Sequence, residues 1–114
     1  SSAASDVYKR QEEILGNIRA YRAAKNAAVL MVSHSMEDIA KYVQQIIVMN
    51  KGEKLFDGTP KEVFSHYKEL EEIGLAAPQV TYIMHALAEH GMNVKTDATT
   101  IEEAATEIMR SIHG

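Results

Sequence analysis

The chain is most informative at first through what it lacks. Its 114 residues include no cysteine and no tryptophan, which excludes disulfides, thiolate metal sites and cysteine nucleophiles. The chain has 12 Lys and Arg and 16 Asp and Glu, which gives a net charge of -4 at pH 7. This composition does not indicate a basic surface for nucleic-acid binding. The apolar runs are far shorter than the roughly 18 to 20 residues of a membrane-spanning helix. We therefore expect one modest globular domain, which would act at a membrane only through a partner.

Residues 29–32 form an apolar run that is followed by Ser33 and His34, and we expect a strand at residues 29–33. A run rich in Val and Leu without polar alternation predicts a strand buried on both faces, as in a parallel sheet. Ser35 and Asp38 have the spacing of an N-cap and its third helical residue, which predicts a helix from Met36. Parallel sheets bind ligands beyond the carboxyl ends of their strands. His34 therefore lies where a binding residue is expected.

His34 has two interpretations of equal weight from its position. In one, the imidazole donates a hydrogen bond to a phosphate or orients a water molecule. In the other, it only borders a helix cap. Ser33 and His34 do not form a nucleophile and base pair, because neighbours on an extended chain point to opposite sides.

The remaining chain predicts a short α/β unit followed by helices. We expect helices at residues 12–26 and 36–42, a strand at 46–49 parallel to the first, and an antiparallel return strand at 53–57 after a turn at 50–52. From residue 60 the pattern is helical, with predicted helices at 61–65, 67–73, 78–90 and 101–112. Two Thr-x-x-Glu capping boxes, at Thr59 and Thr100, mark helix starts.

No other group of residues in the sequence indicates a catalytic, metal or nucleotide site. The remaining histidines match no recognisable metal spacing, and the adjacent glutamate pairs are typical of solvated helix faces. Neither glycine-rich nucleotide motif occurs in the sequence, so no predicted element cradles phosphates through backbone amides.

Three blocks resemble the distal part of an ABC transporter ATPase: VLMVSHSMEDIA at residues 29–40, IIVMNKG at 46–52 and GTPKEVF at 58–64. The following EEIGL at 71–75 and PQVT at 78–81 look more specifically like the ATP-binding subunits of energy-coupling factor transporters. The resemblance covers about residues 12 to 112. It implies the C-terminal part of a P-loop NTPase domain, with parallel strands and a hairpin, followed by a small helical C-terminal domain.

The resemblance also implies a role for His34, which falls on the switch histidine of the family. That histidine contacts the terminal phosphate of ATP and helps to hold the attacking water. The cofactor implied is ATP with Mg²⁺ in the full-length parent, with none expected for the 114 residues alone. The partners implied are a second ATPase subunit, a transmembrane energy-coupling subunit and a substrate-binding membrane subunit, at the cytoplasmic face of the membrane.

Departures from the family pattern indicate a fragment. The phosphate-binding loop, signature sequence and second Walker strand of the family are absent, so we expect no hydrolysis by this chain alone. We expect residues 1–11 to be foreign or disordered, residues 12–59 to belong to the nucleotide-binding domain and residues 60–114 to form a dimerisation region. A parent that drives vitamin or metal-ion (cobalt) uptake is the first hypothesis. The alternative is a non-enzymatic dimerisation module in which His34 is idle.

Overall fold

A computed structural model describes residues 2–114 of the chain, which divide into two compact units, residues 2–32 and Ser33–Gly114. The first unit consists of helix α1, Ser2–Lys25, and an irregular segment after it. The helix begins ten residues before the predicted start, so residues 2–11 are helical. Residue 1 of the predicted foreign segment lies outside the described residues. The origin of residues 1–11 stays a prediction.

The predicted strand at residues 29–33 is wrong, because this segment has no regular secondary structure. A strand is stabilised by hydrogen bonds to a neighbour, and no segment among residues 2–114 pairs with it. The parallel sheet is therefore not formed in the described chain. Leu30 and Val32 remain 92% and 91% exposed.

The second unit contains one two-stranded antiparallel sheet, built from β1, Ile46–Asn50, and β2, Glu53–Gly58. Val48 lies opposite Phe56, and a bulge follows between Val48 and Met49. Lys51 and Gly52 both have positive φ, at 52° and 79°, as a two-residue hairpin turn of type I′ requires. The predicted hairpin is thus confirmed.

Five helices complete this unit, and each lies close to its predicted position. They are α2, Met36–Tyr42; α3, Pro60–Phe64; α4, Tyr67–Glu72; α5, Gln79–Glu89; and α6, Ile101–His113. Ser35, Thr59 and Thr100 each accept a hydrogen bond from a backbone N–H in the first turn of the following helix. These contacts confirm the predicted caps.

Two apolar clusters hold the second unit together. The first joins Ala40 of α2 and Val48 of β1 to residues of the later helices. Its other buried members are Val63, Phe64, Leu70 and Ala77. The second has Met84 of α5 and Ala104 of α6 at its centre, with Val80 and Ala98. Because the first cluster crosses the predicted boundary between residues 59 and 60, that boundary falls inside one compact unit. The division into a nucleotide-binding part and a dimerisation region stays a prediction.

The exposed side chains of Leu30 and Val32 predict self-association of this chain. Replacing both with lysine should raise the concentration at which aggregates form by about tenfold, since each buried aliphatic side chain contributes about 1.5 to 3 kcal/mol. Static light scattering over a concentration series measures the effect. Gln11→Lys with Asn17→Lys is the control, because it changes the net charge equally at exposed polar positions of α1. Equal aggregation of both double variants would contradict the prediction.

Candidate functional site

His34 lies in a bend immediately before the N-cap of α2, and its side chain is exposed. Ser35 fixes the local backbone from both sides: its N–H donates to Ser33 Oγ at 3.0 Å, and its own Oγ accepts from the Asp38 N–H at 3.2 Å. A capped turn of this kind restricts the φ and ψ angles of the residues next to it. The histidine therefore extends from an ordered backbone.

Packing of α2 determines where this turn lies. Ala40 is buried in the first apolar cluster, and Met36 and Ile39 pack against it. Glu37 Oε1 also accepts a hydrogen bond from the backbone N–H of Gln79, at 3.1 Å. Helix α2 is thus attached to the hairpin and to the start of α5.

This link between Glu37 and Gln79 was not predicted from the sequence. One indication was available, because the predicted helix after residue 77 begins with Pro78 and has no Ser, Thr, Asp or Asn at its start. A helix without a local cap needs an acceptor from elsewhere for its first N–H groups. The sequence does not reveal which residue supplies that acceptor.

A second polar cluster ties α3 to α6. Lys61 Nζ donates to Glu103 Oε2 at 2.6 Å and to the carbonyl oxygen of Asp97 at 3.2 Å. Glu103 Oε1 accepts from both the N–H and the hydroxyl of Thr99, at 3.2 and 3.0 Å. Partial burial raises the pKa of Glu103, but the hydrogen bonds from Lys61 and Thr99 outweigh it and lower this pKa to about 2.

Glu107 holds the loop before α6 in a similar way. Its carboxylate accepts from Arg110 at 2.7 and 2.8 Å and from the backbone N–H of Lys95 at 2.7 Å. The hydrogen bonds from Arg110 and Lys95 lower the pKa of Glu107 to about 2. Arg110 also donates to the carbonyl oxygen of Asn93, so one ion pair fixes two points of this loop.

A cavity of about 370 Å³ lies beside the carboxylates of these two ion pairs. It is lined by Lys61, Asp97, Ala98, Glu102, Glu103, Thr106 and Glu107. Four carboxylates face one lysine there, which leaves an excess of negative charge. Such a cavity repels phosphate groups.

No group of His, Cys, Asp and Glu within residues 2–114 is arranged to hold a metal ion. Two histidines outside the candidate site make aromatic contacts. His66 stacks on Phe56 with ring centroids 4.7 Å apart, and His85 contacts Tyr67 at the same distance. In the same described range, no helix combines the length and apolar character needed to cross a membrane.

Comparison with known proteins places these features in a family context. The chain is 45% identical over 102 residues to the energy-coupling factor transporter ATP-binding protein EcfA2 of Clostridium tetani, covering 90% of this chain and 35% of that protein. It is 45% identical over 106 residues to EcfA2 of Clostridium perfringens, covering 90% and 37%. EcfA1 of Clostridioides difficile is 36% identical over 98 residues, covering 86% and 35%. No family model matches.

These similarities identify the class: the chain is homologous to a segment of transporter ATP-binding proteins. Within that class, the relatives are the ATP-binding proteins of energy-coupling factor transporters, as the sequence blocks at residues 71–75 and 78–81 predicted. The chain spans about a third of the length of the curated relatives that it matches.

The pKa of Glu103 predicts how stability depends on pH. Because folding lowers this pKa from 4.5 to about 2, Glu103 stabilises the fold fully above pH 4.5, and this contribution is lost as the pH falls toward 2. Glu103→Gln should therefore reduce the slope of unfolding free energy against pH in this window. Urea denaturation at a series of pH values measures that slope.

Two further variants control this experiment. Lys61→Met should reduce the same slope. Combining it with Glu103→Gln should reduce the slope little further, because both substitutions remove the same ion pair. Glu102→Gln, an exposed neighbour on α6, removes an equal charge without removing the contact to Lys61. A slope reduced equally by Glu102→Gln would show that the general charge of α6, and not the ion pair, is responsible.

Proposed function

We propose that this chain is a segment of the ATP-hydrolysing subunit of an energy-coupling factor importer, and that His34 is its switch histidine. The observation that carries the proposal is the exposed imidazole on a capped turn, within a sequence block that resembles the ATPase family. Similarity to EcfA2 proteins over nine tenths of the chain supports the assignment.

The residues present fit one part of an ATP site. His34 offers a ring N–H or nitrogen lone pair from an ordered backbone, and its exposure leaves room for a phosphate or a water molecule. When bound, ATP with Mg²⁺ supplies the phosphoanhydride bond to be cleaved and cations that offset its charge. His34 would hold the attacking water and donate to the terminal phosphate oxygen where charge develops. Its contribution is positioning and charge stabilisation.

The partners follow from the same assignment. We propose that the whole subunit pairs with a second ATPase subunit and binds a transmembrane energy-coupling subunit, which carries a separate substrate-binding membrane protein. The subunit would lie at the cytoplasmic face of the membrane as a peripheral protein. A vitamin or a metal ion such as cobalt is the class of cargo proposed.

Substitution of His34 tests the proposal in a chimaera in which this chain replaces the matching 102-residue segment of the Clostridium tetani protein. In the assembled transporter, His34→Ala should lower the rate of ATP hydrolysis about 100-fold or more, because one charge-stabilising donor is lost. ATP binding should change little. Phosphate release and equilibrium nucleotide binding are the measurements.

His90→Ala is the matched control, since His90 is also exposed and lies at the end of α5. It should leave hydrolysis and assembly unchanged. A chimaera that assembles and binds ATP but hydrolyses it equally with and without His34 would overturn the proposed role.

One observation favours the alternative of a dimerisation module. Along α6, Ile101, Met109 and Ile112 are 70%, 52% and 62% exposed, and their spacing of eight and three residues places them along one side of the helix. An apolar stripe of this kind is suited to association with another protein. Under this alternative, His34→Ala would leave both hydrolysis and association unchanged, while Ile101→Lys with Ile112→Lys would abolish association.

A further inference from the structure

Helix α5 begins without a cap of its own. Its N-cap residue is Pro78, whose side chain forms no capping hydrogen bond, and its first turn contains no acidic residue. Of the backbone N–H groups near its start, that of Ala77 donates to the Tyr82 hydroxyl at 3.0 Å. The N–H of Thr81 donates to the carbonyl oxygen of Pro78. The N–H of Gln79, the first helical residue, has no acceptor within α5, so its partner is another element or water.

Glu37 supplies this acceptor from a position 42 residues earlier in the chain. Its carboxylate also places a negative charge at the positive end of the α5 dipole, which is stabilising. Glu37 lies in the first turn of α2, three residues after His34. One side chain therefore caps α5 and fixes the first turn of the helix that follows His34.

We propose that Glu37 is a positioning residue for His34, through which the helices after the hairpin determine where the imidazole lies. This inference rests on the proposed function, because it assigns a regulator to the same site. A seven-residue helix has little stability of its own, so its contacts decide its orientation. Met36 and Ile39 pack against the first apolar cluster, but their side chains are only partly buried. The bond to Gln79 supplies a directional contact that packing lacks.

The consequence is a coupling between two parts of the unit. A movement of α5 would carry the first turn of α2 with it and shift His34 relative to a bound phosphate. Conversely, a contact made by His34 would restrain the start of α5. By linkage, the same coupling acts in both directions.

Gln79→Pro gives a selective test in the chimaeric transporter. Proline lacks the N–H that Glu37 accepts, and the first helical position tolerates it. The preceding Pro78 already has ψ of 150°, as a residue before proline requires. We expect both Gln79→Pro and Glu37→Ala to lower kcat for ATP hydrolysis about tenfold, the effect of losing one hydrogen bond to a charged group. The KM for ATP should stay unchanged.

Three comparisons separate positioning from a general loss of structure. Glu37→Gln keeps the acceptor oxygen and should restore most of kcat. The double variant Glu37→Ala with Gln79→Pro should be no slower than either single variant, because both remove the same bond. Asp38→Asn removes the neighbouring acid of the same first turn and should leave kcat unchanged.

Hydrogen exchange distinguishes failure of this inference from failure of the proposed function. In the chimaera, Glu37→Ala should speed exchange of the Gln79 amide whether or not ATP is hydrolysed. Faster exchange with unchanged kcat, in a chimaera whose hydrolysis depends on His34, would overturn the positioning role alone. Additive losses in the double variant would also overturn it. A chimaera whose hydrolysis does not depend on His34 would overturn the proposed function and this inference with it.

Discussion

The packing of α2 against the residues that follow the hairpin is the contact on which the candidate site depends. Helix α2 has seven residues, too few to be stable in water without tertiary contacts. Burial of Ala40 with Val63 and Phe64 of α3 joins it to a part of the chain more than 20 residues away. The position of His34 is therefore a property of the whole second unit.

Helix α5 extends this dependence to the end of the chain. Tyr82 packs against the first apolar cluster, whereas Val80 and Met84 belong to the second. The bond from Lys61 to Glu103 closes the arrangement from the other side, because it joins α3 to α6 directly. The two apolar clusters share helix α5, and the ion pair joins α3 to α6. These contacts explain why residues 33–114 form one compact unit.

Local signals in the sequence predicted the helix boundaries of the second unit well, whereas α1 begins ten residues before its predicted start. Contacts between residues far apart in the sequence were not predicted. The caps at Ser35, Thr59 and Thr100 depend on side chains within three residues of their partners, so spacing alone reveals them. The strand predicted at residues 29–33 depends on a neighbour that its own composition does not supply. The contacts of Glu37 with Gln79 and of Lys61 with Glu103 span 42 residues each. No periodicity encodes such pairs, because they follow from packing.

The negative charge of the proposed ligand limits what His34 would contribute. In the proposed role, a single imidazole faces a ligand with several negative charges and adds little to its affinity. An interaction that strengthens only as charge develops on the transferred phosphoryl group raises the rate instead. The accuracy with which His34 is positioned then matters more than its charge, because a small displacement weakens a directional contact in the transition state.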